Sequence, residues 1–252
     1  MKILRNTIIA GNWKMNKNPM ETKQYFEEFK KLVKNTQFKV ILCVPFVDIE
    51  TALEATKHTD ISIGAQNLYY KECGAFTGEI STKMLKDMTI EYAIIGHSER
   101  RQYFNETDEV VNLKVKSALQ YGIKPILCVG ETLEQREKGI QNEIISIQII
   151  NALKAVNQEQ IKNVIIAYEP VWAIGTGKTA TSMEANESIS GIRSEIANMY
   201  GQDVADDIHI LYGGSVKSEN AYELFSMPDI DGGLVGGASL EPEEFAKIVN
   251  YI

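Results

Sequence analysis

Short apolar runs ending in a polar or glycine-rich residue recur along the chain, and polar stretches with helical spacing separate them. Eight are read, at 7–12, 39–45, 61–66, 92–97, 125–130, 164–169, 208–214 and 233–237. They are rich in β-branched residues and mostly lack a polar face, as parallel strands buried on both sides require. The 252 residues shared among eight runs give about 31 per unit, near the ~30 of a βαβ repeat. Between the runs, 20–35 places Tyr25, Phe29, Leu32 and Val33 on one stripe, and 135–156 does the same with Ile144, Ile147, Ile150 and Leu153. Pro242 followed by Glu243 and Glu244 reads as the first turn of a last helix. Eight strand–helix units with no linker or low-complexity segment predict one α/β domain over residues 1–252, a closed parallel (β/α)8 barrel rather than an open doubly wound sheet.

The C-terminal ends of all strands in such a barrel meet on one face. That makes the residue ending each run informative: Asn12 and Lys14 after the first, His97 and Glu99 after the fourth, Glu169 after the sixth, Ser215 after the seventh, Gly236 and Gly237 after the eighth. The segment after Glu169 has its own character. Pro170 lacks a ladder donor and Gly175 and Gly177 permit positive φ. A loop carrying Pro170, Trp172, Ile174, Gly175, Gly177 and Lys178 is therefore expected to act as a lid that excludes water. Residues 175–180 also fit G-x-G-x-x-A, but a dinucleotide fingerprint turns directly from strand to helix, and 169–174 intervene. A P-loop ending at Gly177-Lys178-Thr179 fails because Trp172 stands where its first glycine belongs.

Each candidate has a plainer reading. Lys14 could be an ordinary surface lysine, His97 a satisfied core histidine, Glu169 a solvated carboxylate, and the glycines simple turns. Convergence changes the balance. Under an apolar lid the charged form of Glu169 is disfavoured and its basicity raised, which suits removal of a carbon-bound proton. A helix beginning just after His97 would disfavour its protonation and leave a neutral imidazole. Lys14 beside Asn12 suits an anionic substrate, and the turns after strands seven and eight, with Gly175, would cradle a phosphate through backbone N–H groups. Carboxylate base, imidazole, lysine and phosphate cradle together describe proton transfer next to a carbonyl, as in an aldose–ketose isomerase.

Composition narrows the field further. A net charge of −8 argues against nucleic acid, and no apolar run has the length of a membrane span. The chain opens directly into structure with no small-residue cleavage site, so a cytoplasmic location is expected. Cys43, Cys73 and Cys128 form no C-x-x-C pair and are expected as buried reduced thiols. No two histidines have zinc-ligand spacing, so no metal site is assigned. His58 and His209 receive no role.

The residues at these ends also resemble the triosephosphate isomerase family nearly end to end, through Gly11-Asn12-Trp13-Lys14-Met15-Asn16, Gly96-His97-Ser98-Glu99-Arg100-Arg101, 167–180, Tyr212-Gly213-Gly214-Ser215-Val216 and 231–240. The resemblance implies a TIM barrel that interconverts dihydroxyacetone phosphate and glyceraldehyde 3-phosphate in glycolysis and gluconeogenesis, without a cofactor. Under it Glu169 moves the carbon-bound proton, His97 shuttles protons between oxygens, and Asn12 and Lys14 stabilise the enediolate. Gly175, Ser215, Gly236 and Gly237 would bind the phosphate. It further implies a homodimer in which the loop at 70–81, with Thr77, reaches the partner near Met15. Ser218 stands where the family pattern leads one to expect proline. A pentose-phosphate epimerase would want a histidine–carboxylate metal cluster and an aldolase a lysine within a strand, and neither is evident; a non-catalytic phospho-ligand binder would have no need of both Glu169 and His97.

Overall fold

The computed structural model describes residues 5–34, 36–173 and 180–252. All eight apolar runs become strands: β1 Ile8–Asn12, β2 Lys39–Val44, β3 Ile61–Ala65, β4 Tyr92–Ile95, β5 Lys124–Val129, β6 Ile165–Tyr168, β7 His209–Tyr212 and β8 Gly232–Val235. They pair in parallel in chain order, and β1 pairs with β8 through Ile8↔Gly232 to Gly11↔Val235, closing the barrel. The helices are α1 Pro19–Leu32, α2 Ile49–Ala55, α3 Thr82–Asp87, α4 Ser98–Tyr103, α5 Asp108–Gln120, α6 Leu133–Glu137, α7 Gln141–Ala152, α8 Gln158–Ile161, α9 Ser182–Tyr200, α10 Gln202–Asp207, α11 Ser218–Phe225 and α12 Pro242–Val249.

Strand periodicity divides the apolar side chains into two cores. Ile8, Ala10, Ile41, Cys43, Ile94, Ile126, Cys128, Ile165, Ala167 and Leu211 fill the barrel interior, while Ile9, Val40, Leu42, Ile95, Leu127 and Ile166 pack outward against the helices. The alternation carries a functional consequence. Asn12 shares the parity of Ile8 and Ala10, and Glu169 that of Ile165 and Ala167, so both face the barrel axis at its upper rim.

Helix starts follow their side chains. Asn18 accepts hydrogen bonds from the Met20 and Glu21 amides ahead of Pro19 at the first helical position, and Thr181 with Glu184 forms a capping box. Ser218 opens α11, and its N–H, which proline would lack, donates to Glu244 at 3.0 Å. The helix expected over 135–156 is instead two, α6 and α7, broken at Gly139 with φ +69°. The expected stripe is corrected too: Leu153 is buried, but Ile147 and Ile150 are 51% and 47% exposed, and Ile145 and Ile149 fill the interface. In α1, likewise, Phe26 is buried and Leu32 exposed. Cys43 and Cys128 are buried as expected; Cys73 is exposed.

Candidate active site

A cleft of about 410 Å³ opens at the C-terminal ends of the strands, and Asn12, Lys14, His97, Glu169, Ser215, Gly236 and Gly237 all line it. Residues from five strand ends, far apart in sequence, thus share one wall. Of the expected lid, Ile174, Gly175, Gly177 and Lys178 lie outside the described residues, while Pro170 is buried and Val171–Ala173 form a short 3-10 turn. Met15 is 96% exposed and Thr77 lies in the exposed part, 71–79, of the 70–81 loop; neither lines the cleft.

Glu169 is 2% exposed. One oxygen lies 2.9 Å from His97 Nε2, and the other accepts the Ser98 N–H at 3.0 Å. Its surroundings are tailored to it. A Cβ at Gly213 would come within 2.9 Å of Glu169 Cγ, and one at Gly130 within 1.7 Å of the Glu169 carbonyl oxygen, so only glycine leaves the carboxylate its place. The expected raised basicity is not the state of this cleft. Burial pushes the Glu169 carboxyl upward, but His97, the Ser98 N–H and Lys14 outweigh it and hold the group below its ordinary value.

His97 caps α4: its Nδ1 accepts the Glu99 N–H at 3.2 Å. That bond leaves the ring proton on Nε2, facing Glu169, and fits the neutral tautomer expected from the helix start. Burial opposes protonation of the ring, yet the neighbouring Glu169 carboxylate outweighs it and moves the imidazole pKa upward, contrary to the helix-only expectation. The two groups are therefore poised as a proton-sharing pair.

Lys14 has φ +54°, a left-handed conformation unusual outside glycine and costing on the order of 1 kcal/mol. Both its main-chain groups are tied: the N–H donates to Asn12 Oδ1 at 3.0 Å, and the carbonyl accepts from Gln66 Nε2 at 2.9 Å. Its ammonium sits 2.5 Å from Glu99, a half-exposed pair that adds only about 0–1 kcal/mol of stability and mainly aims the charge.

Sequence reading missed several supporting residues. Gln66 was visible only as the polar end of the third run, although the rule that singled out Asn12 applies equally to it. Glu131, fully buried, accepts from Tyr168 Oη, Trp172 Nε1 and Arg136 Nη1 at 3.1, 2.8 and 3.2 Å. Arg136 also stacks over the Trp172 ring at 4.9 Å. The indole is thereby anchored to the end of β5, a contact that no local pattern announces.

A sequence model of the family described as "Triosephosphate isomerase" matches residues 7–252. The chain is 54% identical over 248 residues to the triosephosphate isomerase of Clostridium perfringens (strain 13 / Type A), covering 98% of this chain and 100% of that protein. It is 54% identical over 247 residues to that of Acetivibrio thermocellus, 98% of each chain. It is 55% identical over 248 residues to that of Caldanaerobacter subterraneus subsp. tengcongensis, 98% of this chain and 100% of that one.

Proposed function

The chain belongs to the triosephosphate isomerase family, and from that premise we propose how its cleft performs the reaction. The protein is an intramolecular isomerase that interconverts dihydroxyacetone phosphate and glyceraldehyde 3-phosphate. Glu169 takes the proton from the carbon beside the carbonyl and returns it to the neighbouring carbon. The observation that carries this reading is the 2.9 Å contact between buried Glu169 and His97 inside the cleft.

Before substrate arrives, His97 and the Ser98 amide keep Glu169 ionised. A substrate carbonyl competes for the Nε2–H of His97 and frees the carboxylate, whose burial then has less opposing charge and raises its basicity. His97 gives its Nε2 proton to one oxygen of the enediolate and recovers one from the other. Asn12, with Oδ1 committed to the Lys14 N–H, offers its amide N–H groups, and Lys14 supplies positive charge where the oxyanion develops. Main-chain N–H groups of Ser215, Gly236 and Gly237 hold the phosphate; a Cβ at Gly237 would touch nothing within 4 Å, so space for a ligand lies over it. Every step is a proton transfer, and the scheme calls for no cofactor or metal.

We further assign the enzyme to glycolysis and gluconeogenesis in the cytoplasm, as a homodimer. Support for the dimer is an apolar surface beside the cleft: Met15, Phe46 and Phe104 line a second cavity of about 290 Å³, and Phe76 stands 39% exposed on the 70–81 loop. A second copy's loop with Phe76 and Thr77 would fill it near Met15.

The test is a coupled assay of glyceraldehyde 3-phosphate turnover, with chelator present, on wild type, Glu169→Asp and His97→Gln. Fast wild-type turnover that falls sharply in both variants is expected, because a shorter base is misplaced. A wild type that binds a phosphate analogue without turnover would overturn the scheme.

A further inference from the structure

The β5–β6 ladder ends at the pair Val129↔Tyr168. Beyond it the two strand exits stay in contact, with the Glu169 N–H donating to the Val129 carbonyl at 2.8 Å and the Val171 N–H to the Glu131 carbonyl at 3.1 Å. Gly130 lies between these bonds, against the main chain of Glu169, where a Cβ would also come within 3.3 Å of the Glu169 Cα. Wherever Gly130 sits, the backbone of Glu169 must sit with it.

What fixes Gly130 comes from outside the barrel. The Gln148 side chain of α7 accepts the Gly130 N–H through Oε1 at 2.8 Å and donates through Nε2 to the Gly130 carbonyl at 3.0 Å. One amide thus meets both main-chain groups of a residue just past the end of the ladder, as a neighbouring strand would. Its helix is itself well seated, since Ile145 and Ile149 on either side of Gln148 are 4% and 0% exposed. Gln148 does not line the cleft of Glu169 and His97 and bonds to neither of them; with Glu169 it shares only a neighbouring cavity, which Gly130 and Trp172 also line.

We propose that Gln148 is a positioning residue for the isomerisation: its two-point clamp on Gly130 sets the register of the β5 exit against Glu169, and so the place from which the carboxylate reaches the substrate carbon. The inference rests on Glu169 being the base. The phosphate cradle lies on the exits of β7 and β8, beyond β6, and the Gln148 side chain bonds to Gly130 on the β5 exit and to neither of them. Loss of the clamp therefore acts on turnover and leaves substrate binding alone.

The experiment compares wild type, Gln148→Met, Gln148→Glu and Ile145→Val in the coupled assay, with melting curves for each. Methionine keeps the length of the side chain and removes both hydrogen bonds; glutamate keeps the acceptor for the Gly130 N–H and loses the donor. The expected result is a fall in kcat of about 10- to 100-fold for Gln148→Met, the scale of a carboxylate misplaced by up to ~1 Å, with KM within twofold. The acidic limb of its pH profile moves to higher pH as Glu169 loses its alignment on His97. Gln148→Glu falls between Gln148→Met and wild type, which keeps the test in force if the methionine variant fails to fold. Ile145→Val destabilises the same helix and keeps wild-type kcat. Unchanged kcat in both Gln148 variants, a change confined to KM, or an equal kcat loss in Ile145→Val would overturn the positioning role. An inactive wild type would instead sink the assignment of Glu169, so the two failures are distinct.

Discussion

Gly213→Ala is the sharpest test of how the carboxylate is held. The added Cβ would stand 2.9 Å from Glu169 Cγ, whereas ordinary contacts begin at 3.4–4 Å, and Tyr168 O at 3.2 Å blocks retreat on the other side. Glu169 must therefore yield by about 0.5–1 Å, since the strand main chain is fixed by the Gly213 N–H bond to Tyr168 O at 2.7 Å. Displacements of that size in a reacting group cost about 10- to 100-fold in rate, equivalent to roughly 1.4–2.7 kcal/mol in the barrier. Measured by steady-state turnover of glyceraldehyde 3-phosphate, the variant should lose that factor in kcat. Overpacking should also lower its stability by about 1–3 kcal/mol in denaturant titrations. A kcat within twofold of wild type in a folded variant would refute the claim that Gly213 is glycine because of Glu169.

Other substitutions probe the surrounding supports. Gln66→Ala removes the donor to the carbonyls of Lys14 and Cys43; a loss of about 1–3 kcal/mol is expected, read as a lower melting temperature together with a lower kcat/KM as the left-handed backbone at Lys14 relaxes. Glu131→Ala strands the Tyr168 hydroxyl, the Trp172 N–H and Arg136, and should cost about 3 kcal/mol or more in denaturant unfolding. A change below ~1 kcal/mol would show the network to be incidental. Burial opposes ionisation of Glu106, but Lys114 and Arg100 outweigh it and hold the carboxyl below its ordinary 4.5. Burial leaves Lys114 with a lowered pKa despite this partner, so the pair's gain resides in the carboxylate, which has Arg100 as a second cation 2.7 Å away. A carboxyl depressed on folding contributes stability that is present above its unfolded value and lost as pH falls through the folded one. Unfolding free energy should thus drop below about pH 4.5 in wild type, and Glu106→Gln should be less stable at neutral pH with a flatter acid limb.

Sequence alone determined the number, order and near-boundaries of the strands, because a strand buried on both faces must be a short apolar run wherever it occurs. Parallel strands need crossovers, and eight short apolar runs, each followed by a segment long enough to cross back, leave closure as the natural arrangement. The polar residues that end these runs, Asn12, Lys14, His97, Glu169, Ser215, Gly236 and Gly237, are brought to one rim by the strand order alone. Sequence could not choose the buried face of α7, whose Ile144, Ile145, Ile147, Ile149 and Ile150 point around the whole helix; only the barrel wall selected Ile145 and Ile149. Nor could it supply the contacts that tune the chemistry. The pairing of Glu169 with His97, which reverses the expected shift of the carboxyl, the tie of Gln66 to Lys14 and the clamp of Gln148 on Gly130 join residues 72, 52 and 18 positions apart. Local spacing encodes which side chains face the axis; the distances between them arise only when the closed sheet fixes each strand against its neighbours.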